Sequence, residues 1–566
     1  MNQLIECVPN FSEGRDLQLI GRITAEIEKV EGVSLLDVDP GKATNRTVVT
    51  FVGSPQVVCE AAFRAIKKAA ELIDMSKHRG THPRFGATDV CPLVPVANIT
   101  MDEVVEYARK LAERIGNELH IPVYCYEFAA FEEKRRNLAT CRQGEYEGLG
   151  KKIASTDWKP DFGPSVWDNQ VALTGATAVG ARNFLIAYNI NLNTTSTRRA
   201  NAVAYDIREK GRIKRESDPV TGKILLDVAG EPVYEPGLFK AVKAIGWYIE
   251  EYGIAQISIN LTDLSVSSLH KVFDTACERA TARGMRVTGS ELVGMVPLRT
   301  MLDAGKYFLQ KQNRSTGIPE KEIIKIAVKS LGLDDLAPFD PKKKIIDYML
   351  KNKMQKYLVD LSLMDFADET ASESPAPGGG SISAYLGALG VSLATMVANL
   401  SSHKTGWDNR WKEFSDQAEK GMAIQKELLQ LVDEDTRAFN LVMDALGLPK
   451  DSEKEKALRH KALQEATRYA AEVPLKVMKR ASDAFELIKT MAETGNPSSV
   501  SDAGVGALCI RSAVMGAFLN VKINVAGMED KEFSGKVLAE GREIEAVSIR
   551  YEEEILKIVN GKIKSE

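Results

Sequence analysis

The stretch Lys77-His78-Arg79-Gly80-Thr81-His82-Pro83-Arg84-Phe85-Gly86-Ala87-Thr88-Asp89 packs two histidines, two arginines, two glycines and a proline between a helical run and a strand-like run. Pro83 biases His82 away from helical backbone, and Gly80 and Gly86 permit a tight turn or a close approach. An imidazole held on such a loop titrates near pH ~6.5 and suits proton transfer. Arginine meets carboxylates with a planar fork. The loop reads as an acid/base site for an anionic substrate, the alternative being a structural histidine in a long loop.

A second constellation lies far downstream. Leu428, Val432, Asp435, Phe439, Val442 and Leu446 follow the spacing 0, 4, 7, 11, 14, 18 and share one face of a helix. An aspartate in an apolar stripe needs a partner or a proton, which makes Asp435 a candidate proton carrier. A carboxylate salt-bridged across a bundle is the alternative. Asp433 falls round towards the polar side. Pro377-Gly378-Gly379-Gly380-Ser381 offers free backbone N–H groups ahead of a helix, without the Lys-Ser/Thr ending of a phosphate loop. Ser498-Ser499-Val500-Ser501-Asp502 precedes another apolar helix and reads most simply as an N-cap.

These residues must be positioned by several domains, since 566 residues exceed one core at about 150 residues per domain. Strands over Leu4–Pro9, 33–38, 47–52, 90–96 and 122–126, with a turn at Asn10–Gly14, alternate with helices over 16–30, 55–73 and 101–119. That is the order of a split βαβ unit, a mixed sheet with helices on one face. A turn-rich segment, Asp161 to Gln170, carries an exposed tryptophan and suits a lid or a ligand-binding loop. Residues 184–192 and 254–261 alternate and pair as strands of a second α/β unit, with helices over 196–210, 267–283 and 298–311 and an insertion over 214–236. A charged connector leads to an all-α bundle with helices over 411–446, 454–494 kinked at Pro474, 503–525 and 531–559. Ser374 to Ser402 carries no charge and is long enough to cross a bilayer. Its Pro and Gly front and its Ala, Gly and Ser content favour a helix buried on all sides of a soluble bundle. The expected domains are 1–181, 182–316, a linker 317–354, and 355–566.

The bulk numbers exclude several classes. With 44% hydrophobic and 27% charged residues and a net charge of −4, the composition is ordinary for a soluble globular protein, and neither a basic nucleic-acid footprint nor an acidic tail is implied. Seven scattered cysteines without a C-x-x-C spacing suggest neither a disulfide framework nor a zinc site, and a reducing cytoplasm fits. The N-terminus lacks a secretion signal.

Several motifs in order resemble the bifunctional formimidoyltransferase-cyclodeaminases over essentially the full chain. They are Cys7-Val8-Pro9-Asn10-Phe11-Ser12-Glu13-Gly14, Leu36-Asp37-Val38-Asp39, Thr44-Asn45-Arg46-Thr47, His82-Pro83-Arg84, Asp161-Phe162-Gly163-Pro164, the run Gly180 to Ala187, and Gly294-Met295-Val296-Pro297-Leu298. In the helical half they are Pro377 to Ser381, Val432-Asp433-Glu434-Asp435 and Ser501-Asp502. The resemblance implies transfer of a formimino group from N-formimino-L-glutamate to N5 of tetrahydrofolate, then cyclisation to 5,10-methenyltetrahydrofolate with loss of ammonia, in histidine degradation. It implies His82 as the transferase acid/base and Asp435 as the cyclodeaminase aspartate. Asp39, Asn45, Arg46, Arg84, Gly163, Pro164, Gly378, Gly379, Gly380 and Asp502 fall among the substrate-binding residues. Tetrahydrofolate, polyglutamylated or not, is then a co-substrate, no metal is required, and a cytoplasmic homo-oligomer is expected. Residues 214–236 and the folate-loop filling Val166 to Gln170 depart from the family pattern. Two other readings keep the transferase: a helical half that only holds folate or oligomerises, and one that acts as a methenyltetrahydrofolate cyclohydrolase.

Overall fold

A computed structural model describes residues 3–42, 44–80, 83–217, 222–349, 357–374 and 376–563. The chain divides into two compact units, Met1–Ala304 with Val328–Lys353, and Gly305–Ala327 with Met354–Glu566.

The first unit is built on two sheets. Strands β1 (Leu4–Cys7), β2 (Asn10–Phe11), β3 (Ser34–Gly41), β4 (Arg46–Gly53), β5 (Thr88–Ala97), β6 (Val123–Glu127) and β7 (Thr177–Ala181) form a seven-stranded mixed sheet. β1 and β2 are two pieces of one line lying between β4 and β5 and antiparallel to both. β5, β7 and β6 run parallel. The expected turn at Asn10-Phe11 is therefore strand, broken only at Val8-Pro9. β7 escapes the pattern of the sequence because Thr177-Ala178-Val179-Gly180-Ala181 is buried on both faces and does not alternate. Helices α1 (Leu17–Glu28), α2 (Pro55–Leu72) and α3 (Met101–Leu119) cover one face, with Ile23, Ile66 and Leu111 against Cys7, Phe51, Cys91 and Val179. Thr100 and Glu103 form a capping box at the start of α3, an arrangement contributing about 1 kcal/mol. Short helices α4 (Leu138–Cys141), α5 (Glu145–Ala154) and α6 (Asn169–Thr174) lie beyond.

One irregularity positions the first site. Asn10 pairs with Val90 and Phe11 with Thr88, so Asp89 is an extra residue in β5. Such a bulge re-aims side chains. Cys91 and Leu93 face the helices, while Val90 joins Tyr126, Cys141 and Ala178 on the other face, where Asp89 also points.

The second sheet contains β8 (Ile186–Leu192), β11 (Val242–Ile249), β12 (Ile254–Leu261) and β13 (Val287–Val293) in the order β11-β12-β8-β13. All its pairings are antiparallel, so of the two sheets the first alone is mixed. The expected pairing of 184–192 with 254–261 is present. Helices α7 (Thr197–Ile207) and α8 (Leu269–Thr281) pack on this sheet, the latter through Phe273 beside Tyr188. Within 214–236, β9 (Arg212–Ile213) and β10 (Tyr234–Glu235) pair as a small ribbon, and residues 218–221 lie outside the description.

Helices α9 (Leu298–Lys311), α10 (Glu320–Leu331), α11 (Pro341–Lys344) and α12 (Leu363–Ala371) lead into the bundle. The bundle comprises α13 (Gly379–Ser402), α14 (Trp411–Leu446), α15 (Glu453–Ser482), α16 (Ala484–Thr494), α17 (Val500–Ala526) and α18 (Lys531–Ile563) around one core containing Val391, Leu428, Phe485 and Val514. α15 contains Pro474 in its interior and ends at Ser482, with Asp483 separating it from α16, so the single helix expected over 454–494 is two. α13 and α17 are both long and apolar enough to cross a membrane, yet much of each is bundle core. The expectation that α13 is buried on all sides needs correction: Leu389, Met396 and Leu400 are exposed along one stripe.

Two candidate active sites

The loop that carries the first site is held by side chains from distant parts of the chain. Thr81 and His82 lie outside the described residues. Around them, Asn45 has left-handed backbone, which asparagine tolerates. Its amide Nδ2 donates to the Arg79 carbonyl (2.9 Å), its Oδ1 accepts from Gly14 N (3.0 Å), and its own carbonyl lies 2.8 Å from His78 Nε2. A Cβ on Gly80 would collide with the Thr44 carbonyl, so the close approach read from sequence is present there. Arg84 donates to the carbonyls of Met75 and His78 (both 2.6 Å), pairs with Glu147 (2.7 Å) and stacks on Tyr146, 4.4 Å from the ring centre. Its fork is spent on the shape of the loop.

Arg46 pairs with Asp89 (2.6 Å) and donates to Asn10 Oδ1 (2.9 Å). Arg142 joins the same carboxylate at 3.0 Å and donates to the Pro83 carbonyl at 2.7 Å. Two guanidinium groups on one buried aspartate leave a surplus positive charge beside the histidine loop, which suits an anionic ligand. Strand alternation places Asp39 and Glu6 on the same face. Burial, opposed by Arg182, pushes the Glu6 carboxyl up to about 7. Burial also raises Asp37, with Lys344 opposing and Asp39 adding to it.

The Gly163-Pro164 loop is pinned by Asp161, which accepts from Cys125 N (2.7 Å) and pairs with Arg135 (2.5 Å). Trp167 is exposed, as expected, and meets Tyr146 edge-on at 5.6 Å. Tyr146 thus joins this loop to Arg84 of the histidine loop.

Sequence reasoning missed a polar row across the second sheet. Trp247 Nε1 donates to Gln256 Oε1 (3.1 Å), and Gln256 Nε2 donates to Asn191 Oδ1 (2.8 Å) and Glu291 Oε2 (3.2 Å). The signal was present in the polar residues at every second position, Asn189 and Asn191 on one strand and Gln256, Ser258 and Asn260 on the other, opposite the apolar face.

The second site lies where α13 begins against the middle of α14. A Cβ on Gly380 would strike the Asp435 carboxylate, so only glycine lets the helix start so close. Ser381 Oγ lies 3.1 Å from Asp435 Oδ2 and 2.9 Å from the Val432 carbonyl. One hydroxyl proton cannot serve both, so a protonated Asp435 could donate to Ser381 instead. Burial raises the Asp435 carboxyl above the ordinary aspartate value, partly offset by the hydroxyl and backbone N–H of Ser381. A carboxyl whose proton affinity is raised in this way is better suited to carry a proton than an exposed aspartate. Gly378 caps α13 without a side-chain bond, leaving first-turn N–H groups for a polar ligand. Asn520 reaches Gly379 from α17. Asp433 lies elsewhere, accepting from Leu358 N at 2.6 Å. Asp502 does not join the site within one chain: it opens α17, 18 residues or about 27 Å from Asn520.

Three family models match successive parts of the chain: the formiminotransferase domain, N-terminal subdomain, over 4–182; the formiminotransferase domain over 187–351; and formiminotransferase-cyclodeaminase over 362–543. The mouse (Mus musculus) formimidoyltransferase-cyclodeaminase is 42% identical over 95% of this chain and 95% of its own length. A glutamate formimidoyltransferase of Streptococcus pyogenes serotype M1 is 40% identical over 55% of this chain and 95% of its own length. A methenyltetrahydrofolate cyclohydrolase of Methylorubrum extorquens is 35% identical over 35% of this chain and 95% of its own length. Matched end to end by bifunctional relatives and half by half by shorter ones, the chain belongs to the formiminotransferase-cyclodeaminase family.

Proposed function

We infer that this chain is a bifunctional formimidoyltransferase and cyclodeaminase of histidine degradation. It transfers the formimino group of N-formimino-L-glutamate to N5 of tetrahydrofolate, then closes 5-formiminotetrahydrofolate to 5,10-methenyltetrahydrofolate with release of ammonia. The full-length match at 42% identity carries this reading.

In the transfer, N5 attacks the amidine carbon and loses a proton while the departing glutamate nitrogen gains one, work for His82 as acid/base. Asp39 faces the cationic amidine. Arg46, beside Arg142 and Asp89, draws the substrate carboxylates, and Asn45 and Arg84 hold the loop. The loop at Gly163-Pro164 takes folate. In the cyclisation, N10 attacks the same carbon, the bond to the terminal nitrogen breaks, and Asp435 moves the N10 proton to the leaving ammonia. The backbone N–H groups of Gly378, Gly379 and Gly380 at the start of α13 orient the folate. The protein works in the cytoplasm as a homo-oligomer, on tetrahydrofolate with or without a polyglutamate tail.

A cyclohydrolase-like helical half is the second reading, favoured by the Methylorubrum relative. One experiment separates them. The purified chain is mixed with formiminoglutamate and tetrahydrofolate, and methenyltetrahydrofolate absorbance is followed together with ammonia. Both rise together for a cyclodeaminase, whereas glutamate release without ammonia defeats that half of the proposal.

A further inference from the structure

The two carbonyls that follow His82 in the chain are both held from the junction of α4 and α5. Arg142 Nη2 donates to the Pro83 carbonyl (2.7 Å), and Tyr146 N donates to the Arg84 carbonyl (2.8 Å). Proline fixes its own φ. With its carbonyl held as well, Pro83 keeps little freedom, and the peptide that joins it to His82 takes one orientation. The same Arg142 nitrogen lies 3.0 Å from the Asp89 carboxylate. That nitrogen is therefore spent within the protein.

The turn from Arg142 to Glu145 is itself held in an unusual shape. Gly144 and Glu145 both have left-handed backbone, which a glutamate keeps only where its surroundings fix it. From α5, Lys152 Nζ donates to the carbonyls of Thr140 (3.2 Å), Cys141 (2.5 Å) and Gln143 (3.1 Å), on both sides of Arg142. Three ammonium protons meet three carbonyls, whereas a neutral amine has only two protons to give. The ammonium also lies 4.3 Å from the centre of the Trp158 ring, which it shares with Lys134 and with Arg135, the partner of Asp161. Burial brings the Lys152 ammonium down to about 8, with Cys141 opposing the shift and Arg135 adding to it. Burial pushes the Cys141 thiol up to about 11 and raises the Tyr124 phenol, 5.7 Å from Lys152, so both keep their protons while Lys152 titrates.

We propose that Arg142 is a positioning residue of the transferase, fixing Pro83 and through it His82, and that Lys152 holds the turn that presents Arg142. The inference rests on the transferase reading of His82 and deepens it. Both side chains act on the aim of the imidazole, so their loss falls on kcat rather than on KM.

The test is steady-state kinetics of glutamate release by the full-length chain. Arg142→Ala is expected to lower kcat at least about tenfold, with the KM for formiminoglutamate within about twofold of the parent. Free guanidinium ion at millimolar concentration is expected to restore part of that kcat, which a misfolded variant could not show. A parental kcat, an effect confined to KM, or a loss that guanidinium leaves untouched overturns the role of Arg142. For Lys152 the readout is pH. The parental kcat is expected to fall at least about threefold between about pH 7.5 and 9, as Lys152 loses its proton. Lys152→Arg keeps a cation throughout that range and is expected to show no such fall. The same fall in both proteins overturns the role of Lys152, as does a parental profile that stays flat. His82→Ala releasing glutamate at the parental rate overturns the transferase reading and the inference with it. An inactive His82→Ala beside a parental Arg142→Ala overturns the inference alone.

Discussion

Ser381 Oγ lies 3.1 Å from Asp435 Oδ2, and the backbone N–H of Ser381 reaches the same carboxylate. The pair fixes the orientation of the group while burial raises its proton affinity. Asp435→Asn keeps the volume and the acceptor oxygen but cannot carry a proton. It is expected to release glutamate normally, accumulate 5-formiminotetrahydrofolate and slow ammonia release by about 10²-fold or more. Asp433→Asn retains an acceptor for Leu358 N–H and leaves both rates near parental. Parallel assays of glutamate and ammonia check both.

Gly380→Ala reverses the usual sign of its substitution. In an open helix alanine is better than glycine by about 1 kcal/mol, but here the new methyl group meets the Asp435 carboxylate. The expected outcome is a fall of about 10²-fold in cyclisation with the transferase untouched. A variant that cyclises at the parental rate shows that the carboxylate can move aside without cost.

The histidine loop separates binding from positioning. His82→Ala should abolish glutamate release and spare cyclisation of supplied 5-formiminotetrahydrofolate. Arg46→Lys is expected to raise the KM for formiminoglutamate about tenfold, the loss of one charge-assisted hydrogen bond of ~1.5 kcal/mol. Arg84→Lys loses carbonyl contacts that shape the loop, so kcat should fall more than KM rises. Steady-state kinetics of the variants decide it, and an effect of Arg84→Lys confined to KM would return that side chain to the substrate.

Glu6 makes stability depend on pH. Its folded pKa of about 7 lies above the ordinary glutamate value, so between those values the folded chain binds a proton that the unfolded chain has lost. Stability is therefore full below about pH 4.5 and declines as pH rises through 7, by up to about 3 kcal/mol. Glu6→Gln should remove that slope: its Tm advantage over the parent grows from pH 5 to pH 8. A constant difference between the two proteins across that range assigns the slope to other groups.

Most elements were legible because their periods are clean. The helices over 101–119, 298–311 and 411–446 coincide with their expected spans. β7 was hidden by burial on both faces, and β11 and β13 because exposed Ile245 and partly buried Trp247 and Val293 blur their alternation. The helical face of Asp435 could be read from spacing, since one helix determines it. Its neighbours Ser381 and Asn520 come from two other helices, and no local pattern brings residues 54 and 85 positions away in the chain together. Likewise the distance of Asp502 from Asp435 depends on which end of α17 meets which end of α13.

The extra residue at Asp89 also makes reach a matter of chain length. Deleting it would restore regular alternation without displacing Cys91 or Leu93 from the core, so the sheet could survive the loss. The histidine loop could not, because its anchor would arrive about 3.3 Å short, with both arginines deprived of their shared carboxylate. A strand one residue too long for its partner thus acts as a spacer, and a deletion there would leave a protein that folds, fills its sheet and no longer anchors its histidine loop.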